Sequence, residues 1–180
     1  YDVLIIFSRI QRDLLMRLGV PEEKLEGIIE EAAKLEPTLV GKKAPEITIK
    51  NLKTDTKFSL YDIESDYTIL YFWDPDCGHC KKATPKVIEF YKDFRDSGIV
   101  LVAICTEVNT EARTNCLEYI DKKEDMDIFT NAYDPYLRSR YKQKYDIRST
   151  PKVYILDADK KILTKNIGAE QLKDVMSRLL

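Results

Sequence analysis

Apolar residues recur along the chain in patterns that predict buried strands separated by amphipathic helices. Near-continuous apolar runs at 67–73 and 99–105 predict strands buried on both faces, as in a sheet covered by helices. Residues 80–95 between them have helical spacing, so the three segments should form a right-handed parallel crossover. Apolar and polar residues alternate within the segments 46–52 and 57–60, which predicts a β-hairpin before this unit.

The second half of the chain continues the alternation of helix and strand. The predicted elements are helix 110–125, strand 127–132, helix 135–144, strands 152–157 and 161–166, and a closing helix 169–180. Helices that alternate with buried strands are typical of an α/β fold, in which helices cover both faces of a sheet.

A helical hairpin is predicted at the N-terminal end. Helical spacing covers residues 2–18, a Gly-Val-Pro turn interrupts it, and a second amphipathic helix follows. The residue before Pro37 disfavours helix, so the chain divides into residues 1–36 and 37–180. We interpret the hairpin as a structural tail, a remnant of an upstream domain or a linker to it, that packs on the main domain or on the upstream one. Since the chain begins at Tyr1, we expect it to be a fragment.

Composition and charge exclude several classes of protein. The 29 basic and 31 acidic residues nearly balance, which argues against an electrostatic nucleic-acid binder. The apolar run at residues 3–7 is too short to span a bilayer and lacks the flanks of a signal peptide. Four cysteines are too few for a disulfide scaffold. The remaining class is a globular protein of ordinary composition.

Two cysteines stand where the first long strand turns into a helix. Trp73 ends the strand, and Cys77 and Cys80 follow with Gly78 and His79 between them. The first turn of a helix has unpaired N–H groups and a partial positive charge. A sulfur placed there is more easily held as the thiolate, which is the nucleophile in disulfide exchange. We therefore predict that Cys77 is the attacking thiol and Cys80 the resolving thiol.

A zinc site is the alternative interpretation of this cysteine pair, because the same spacing also binds metal. Such a site needs two further ligands. The remaining candidates are Cys105, Cys116 and His79, which lies inside the motif. The strand-to-helix context favours redox chemistry, so no metal is expected.

The stretch from Trp73 to Cys80 resembles the active site of the thioredoxin superfamily. Pro85 and the Thr150-Pro151 pair also match the bacterial exported TlpA/ResA-like thiol-disulfide oxidoreductases. The Cys-Gly-His-Cys tetrapeptide is itself similar to that of protein disulfide isomerases. The resemblance covers roughly residues 40–180.

This resemblance implies a thioredoxin-like three-layer α/β/α sandwich with a mixed sheet. It also implies an N-terminal β-hairpin and a central insertion at about residues 110–132. The implied activity is exchange of the Cys77-Cys80 dithiol or disulfide with protein thiols, in a bacterial periplasmic or membrane-anchored location facing the periplasm. The implied partners are protein thiol or disulfide substrates and a redox partner protein, which includes a membrane-bound electron donor. No cofactor and no nucleic acid is implied.

The resemblance further assigns roles around the two cysteines. Pro151 is expected to form a cis peptide bond with Thr150 against Cys77, which leaves the Thr150 backbone to pair with an extended substrate. His79 is expected to stabilise the Cys77 thiolate and make the disulfide a better oxidant. The implied substrate-binding residues are Trp73, Pro75, Gly78 and Thr150.

Two positions depart from the family pattern. Tyr71 stands where thioredoxins and disulfide isomerases have a buried carboxylate, and Ala83 stands where the ResA-like branch has Glu. Both usual proton acceptors for Cys80 are therefore missing. Glu107, just past the neighbouring strand, and water are the substitutes that the sequence offers.

Cys105 ends the second long strand and is predicted to be a core residue, because free cysteines are often buried. A disulfide with Cys116 in the insertion is the alternative. Such a bond requires Cα atoms within about 7 Å, and the sequence does not give this distance.

The direction of electron flow stays open at this point. The resemblance of the rest of the domain to TlpA-like proteins favours a reductase, whereas the Cys-Gly-His-Cys tetrapeptide favours an oxidase or isomerase. A peroxiredoxin-like peroxidase is a further alternative, which the second cysteine of the motif argues against. A non-catalytic interaction module is the last, since one fold hosts many functions.

Overall fold

The computed structural model of the chain describes residues 13–180, which contain a seven-stranded sheet and its flanking helices. The helices are α1 Glu22–Leu35, α2 Gly78–Phe94, α3 Ala112–Asp121, α4 Tyr141–Lys144 and α5 Leu172–Leu179. The strands are β1 Thr48–Asn51, β2 Lys57–Ser59, β3 Tyr67–Trp73, β4 Ile99–Cys105, β5 Thr130–Tyr133, β6 Lys152–Asp157 and β7 Ile162–Lys165.

The sheet is mixed and has the strand order β2-β1-β5-β4-β3-β6-β7. The central strands β3, β4 and β5 run parallel, and Trp73 lies opposite Cys105 in the register of β3 and β4. The predicted hairpin β1-β2 and the hairpin β6-β7 form the two edges, each joined antiparallel to the centre. The predicted mixed sheet is thus confirmed.

Alternate residues of β3 point into two separate cores, one on each face of the sheet. Ile69, Tyr71 and Trp73 belong to the core that α2, α3 and α5 cover. Leu70 and Phe72 belong to the core on the opposite face, which includes Tyr141 of α4. Because side chains alternate across a strand, burial of both sets explains the continuous apolar run that predicted this strand.

The predicted helix 135–144 is wrong over most of its length, because only its last four residues are helical. Leu137 and Arg140 have φ angles of 51° and 57°, which a right-handed helix does not allow. The carboxylate of buried Asp134 accepts hydrogen bonds from the backbone N–H groups of Arg138 and Ser139 at 3.2 and 2.8 Å. These local bonds replace the helical ladder.

The insertion is present, with shorter elements than predicted. The helix expected over 110–125 is confined to α3, and the strand expected over 127–132 begins only at Thr130. A turn of 3₁₀ helix at Met126–Ile128 occupies the intervening chain. Asp125 precedes that turn with a φ of 64°, so the backbone changes direction where the sequence pattern predicted continuous structure.

The N-terminal helical hairpin is only partly described. Residues 13–17 are helical, and the rest of the predicted helix 2–18 lies outside the described residues. The second predicted helix is confirmed as α1, in which Leu25 is buried whereas Ile28 is 50% exposed. Arg148 of the main domain pairs with Glu31 of α1. The boundary between residues 1–36 and 37–180 stays a prediction.

The described helices also bear on membrane attachment. Between residues 13 and 180, none of them combines the length and the apolar character that crossing a membrane requires.

Candidate active site

A tight turn after β3 presents Cys77 at the start of α2. The side chain of Asp74 accepts a hydrogen bond from the backbone N–H of Asp76 at 2.9 Å, and the Asp74 carbonyl accepts one from the N–H of Cys77 at 3.2 Å. Cys77 is the N-cap residue of α2, and its Sγ accepts a hydrogen bond from the backbone N–H of Cys80 at 3.2 Å. The local chain therefore places the first sulfur over the helix N-terminus, as the sequence predicted.

A second loop, distant in sequence, completes the surroundings of Cys77. The Thr150–Pro151 peptide bond is cis, which confirms the prediction. The thiol of Cys77 donates a hydrogen bond to the Thr150 carbonyl at 3.3 Å. Proline has no backbone N–H, so Pro151 brings no competing donor to this position. The tetrapeptide and the cis pair thus meet at one site.

The two thiols of the motif differ in acidity because their environments differ. Burial opposes ionisation of Cys77, but hydrogen bonds from the side chains of Cys80 and Thr150 and from the backbone N–H groups of Cys80 and His79 outweigh it, so the pKa of Cys77 is lowered. Burial raises the pKa of Cys80 to about 12, and the Cys77 side chain adds to this effect. Cys77 is therefore the sulfur that carries charge more readily.

Two hydroxyl groups form a chain of hydrogen bonds that ends at the backbone carbonyl of the buried Cys80. Thr84 Oγ1 donates to the Cys80 carbonyl at 2.9 Å and lies 3.0 Å from the hydroxyl of Tyr71. Tyr71, which replaces the carboxylate of related sites, is wholly buried, and burial raises its pKa far above the usual range. The ring of Tyr119 packs against Trp73 with centroids 5.0 Å apart. Burial raises the pKa of Tyr119, and a hydrogen bond with the Thr84 side chain partly offsets this effect.

Cys105 and Cys116 form a disulfide, with Cα atoms 6.5 Å apart. The prediction that Cys105 lies in the core is confirmed, and its pairing with Cys116, which the sequence left open, is present. The physical reason is tertiary: α3 packs on the sheet so that Cys116 reaches the end of β4. The bond links α3 to β4, the strand beside Trp73. Neither of its sulfurs is free to ligate a metal together with Cys77 and Cys80.

Glu107 lies beside this second cysteine pair. One of its carboxylate oxygens and the sulfurs of Cys105 and Cys116 are within 4.8 Å of one another. Its Oε1 atom accepts a hydrogen bond from the side-chain amide of Asn115 at 2.6 Å, while Oε2 is buried and has no hydrogen-bond partner among residues 13–180. The suggested role of Glu107 as proton acceptor for Cys80 stays a prediction.

The other predicted site residues lie at different depths. Trp73 and Pro75 are buried, Thr150 is partly buried, and Gly78 and His79 are exposed. The exposed surface of the motif is therefore formed by Gly78 and His79, and Trp73 lies beneath the surface. The substrate-binding roles of these residues stay predictions.

A cleft of about 580 Å³ separates the turn before Cys77 from the insertion helix. Its lining residues are Pro75, Asp76, Lys81, Asn115, Glu118, Tyr119, Lys122 and Lys123. The lining is mixed in charge and includes one aromatic ring. Pro75 and Asp76 of this lining directly precede Cys77 in the chain.

Two residues that contact the motif or the strand before it were not identified from the sequence. Thr84 follows Cys80 by four residues on α2, and this spacing, which places both on one helix face, was a usable signal. Tyr119 comes from the insertion helix, and no local pattern connects it with the motif.

Comparison with known proteins agrees with this site. The AhpC/TSA family model matches residues 40–165. The thiol-disulfide oxidoreductase ResA of Bacillus cereus is 27% identical over 141 residues, which cover 78% of this chain and 76% of ResA. A domain of a possible thiol-disulfide isomerase from Cytophaga hutchinsonii is 38% identical with a TM-score of 0.70, over 79% of this chain and 94% of that one. A thioredoxin-like protein from Bacteroides caccae has a TM-score of 0.76 at 18% identity, and the match covers 89% of this chain and 57% of that one. At this identity the similarity shows the fold alone.

A thioredoxin-like fold with a dithiol motif at a helix N-terminus, together with such relatives, defines a thiol-disulfide oxidoreductase. The chain belongs to the AhpC/TSA family of thioredoxin-like proteins.

Proposed function

We propose that Cys77 and Cys80 exchange a dithiol or disulfide with protein thiols, with Cys77 as the attacking sulfur. The observation that carries this proposal is the contrast between the two thiols. Cys77 is partly exposed, its pKa is lowered, and it caps a helix. Cys80 is buried and its pKa is raised. A substrate therefore meets the charged sulfur first.

In the reducing direction, the Cys77 thiolate attacks one sulfur of a substrate disulfide. A mixed disulfide forms, and the other substrate sulfur leaves as a thiolate that takes a proton from water. Cys80 then loses its proton and attacks Cys77 Sγ. The Cys77–Cys80 disulfide forms, the bond from Cys77 to substrate breaks, and the second substrate sulfur leaves and takes a proton. Two electrons pass from the protein to the substrate.

The substrate surface follows from the same geometry. The Thr150 backbone lies against Cys77, and an extended peptide can pair with such a backbone. The cleft beside Pro75 receives the residues that flank the substrate cysteine. We assign His79 and Gly78, which are exposed in the motif, to contact with that peptide.

We infer an extracytoplasmic reductase from two further observations. The resemblance to exported TlpA/ResA-like proteins supports this location. The Cys105–Cys116 disulfide supports it independently, because disulfides persist in oxidising compartments. The partner that supplies electrons would be a redox protein, including one bound to the membrane.

Reduction of insulin by the purified chain tests the activity. We expect turnover with dithiothreitol as the electron source, none with Cys77→Ser, and a trapped mixed disulfide with Cys80→Ser. Normal turnover by Cys77→Ser would refute the assignment. Equilibration with glutathione tests the direction of electron flow. A reduction potential of about −270 mV for the Cys77–Cys80 pair supports the reductase, and a potential of about −180 mV supports the oxidase or isomerase.

A further inference from the structure

We propose that Glu107 is a positioning residue that sets the width of the cleft between the turn before Cys77 and α3, and thereby the affinity for a protein substrate. The inference rests on the proposed function, in which this cleft receives the residues that flank the substrate cysteine. It gives Glu107 a role other than the suggested one of proton acceptor for Cys80.

The two sides of the cleft come from different parts of the chain. The turn after β3 contributes Pro75 and Asp76 to the lining. The helix α3 contributes Asn115, Glu118 and Tyr119. Because no local bond joins the turn to the helix, the width of the cleft depends on tertiary contacts that connect them.

The loop that contains Glu107 is attached to the turn side. Thr106, which directly precedes Glu107, donates two hydrogen bonds to the Trp73 carbonyl. One comes from its backbone N–H at 2.8 Å, and the other comes from its Oγ1 atom at 3.0 Å. Trp73 ends β3 two residues before Pro75. Since Thr106 is buried, these bonds hold the loop firmly on the strand that leads into the turn.

The side chain of Glu107 reaches the helix side. Its Oε1 atom accepts hydrogen bonds from the side-chain amides of Asn115 at 2.6 Å and Asn109 at 2.7 Å. Asn115 lies on α3 and lines the cleft. The Oδ1 atom of Asn109 accepts a hydrogen bond from the backbone N–H of Glu111 at 2.8 Å, and Glu111 is the N-cap residue of α3. One carboxylate oxygen therefore holds both the start of α3 and a side chain that lines the cleft.

The second disulfide acts on the neighbouring residue of the same helix. Cys116 follows Asn115 and is bonded to Cys105 of β4. A carboxylate oxygen of Glu107 and the two sulfurs lie within 4.8 Å of one another. Consecutive residues of a helix point about 100° apart. The disulfide and the Glu107–Asn115 bond together therefore fix the rotation of α3 as well as its distance from the sheet.

The positioning role and the proton-acceptor role use different properties of Glu107. Positioning needs an oxygen that accepts hydrogen bonds, and the two contacts of Oε1 meet this need. Proton transfer needs a basic carboxylate, for which Oε2 would serve, since it has no hydrogen-bond partner among residues 13–180. Glu107→Gln separates the two roles, because an amide keeps the carbonyl acceptor and cannot act as the base. Glu107→Ala removes both properties.

Two substrates of different size report on the cleft and on the sulfur. Insulin, reduced with dithiothreitol as the electron source, extends beyond Cys77, whereas Ellman's disulfide is small and reports the reaction of Cys77 alone. For Glu107→Ala we expect the insulin KM to rise by about three- to tenfold, the range that one lost hydrogen bond gives. Its kcat and its rate with Ellman's disulfide should stay within about twofold of wild type. For Glu107→Gln, all three values should stay within about twofold.

Glu46→Ala is the matched control for the loss of a hydrogen-bonded carboxylate. Like Glu107, Glu46 is partly buried, and it accepts hydrogen bonds from the hydroxyl of Ser59 at 2.8 Å and from the backbone N–H groups of Leu60 and Tyr61, both at 3.1 Å. It precedes β1, near the edge of the sheet. We expect this variant to lose stability and to keep the insulin KM of the wild type.

Hydrogen exchange gives a second measurement, which does not depend on substrate. In Glu107→Ala, the amides of α3 should exchange faster than in wild type while those of α2 keep their rates, because only α3 loses an attachment. In Glu107→Gln, both helices should match the wild type. Unchanged exchange in α3 of Glu107→Ala would contradict the attachment.

The kinetic outcomes distinguish this inference from the proposed function. An unchanged insulin KM in Glu107→Ala would overturn the positioning role. Equal losses of kcat in Glu107→Gln and Glu107→Ala would also overturn it, because they would assign Glu107 to proton transfer. A wild-type protein without a Cys77-dependent reaction with Ellman's disulfide would instead overturn the proposed function. If Glu107→Ala does not fold, Glu107→Met, which has similar length and no oxygen, replaces it with the same expected and contrary results.

Discussion

The Sγ atom of Cys77 accepts a hydrogen bond from the backbone N–H of Cys80 at 3.2 Å. The reactive sulfur thus fills the N-cap role that Ser, Thr, Asp or Asn usually fills. A thiolate accepts hydrogen bonds better than a thiol, so the start of α2 and the charge on Cys77 stabilise each other. The chemistry of the first sulfur is therefore a property of the helix terminus.

Alkylation across pH should separate the two thiols of the motif. With iodoacetamide, we expect Cys77 to react with a midpoint below that of an ordinary thiol, since its pKa is lowered. Cys80 should stay protonated and unmodified through neutral and mildly alkaline pH, because burial raises its pKa to about 12. Mass spectrometry after digestion locates each label, and earlier reaction of Cys80 would contradict the assignment.

Replacement of His79 by Pro should raise the pKa of Cys77 and lower the reduction potential. The backbone N–H of His79 is one of the donors that favour the Cys77 thiolate, and proline lacks it while fitting the first turn of a helix. His79→Ala keeps this N–H and removes only the exposed imidazole, so it is the matched control. The alkylation midpoint and the glutathione equilibrium measure both effects, and equal values for the two variants would show that the N–H is unimportant.

Removal of the second disulfide should reduce stability without changing the reactive thiol. Cys105 and Cys116 are 11 residues apart, and a closed loop of this size contributes about 2–3 kcal/mol. We expect the double variant Cys105→Ala/Cys116→Ala to lose that amount in the free energy of unfolding, measured with urea. Its Cys77 alkylation midpoint serves as the control and should match the wild type.

Two glycines offer a matched test of the backbone. Gly98 precedes β4 with a φ of +73°, and a Cβ there would lie 2.1 Å from the side chain of Asp66. We expect Gly98→Ala to lower the free energy of unfolding by more than about 1 kcal/mol. Gly27 lies within α1, and apart from its chain neighbours and the backbone of its own helix no described residue comes within 4 Å of its Cβ position. Gly27→Ala should therefore be neutral or stabilising by up to about 1 kcal/mol. Urea unfolding compares the two, and similar stability of both variants would contradict this account.

Elements buried on both faces were the easiest to predict from the sequence. The strands predicted at 67–73 and 99–105 coincide with β3 and β4, because both faces of these strands are apolar and leave a continuous signal. The helix that starts at the cysteine motif was equally clear, since its amphipathic spacing and its position after a strand are local properties. The predicted helix 135–144 failed because the carboxylate of Asp134 binds the local backbone, which hydrophobic spacing does not reveal.

The sequence by itself determined the α/β class and the position of the dithiol at a helix start, because both follow from neighbouring residues. Tertiary structure decided that Cys105 is bonded to Cys116 and that Tyr119 packs on Trp73 beneath the site. These contacts depend on how the insertion helix lies on the sheet. Distance in space between residues far apart in the chain is a result of packing, and no local pattern of residue types contains it.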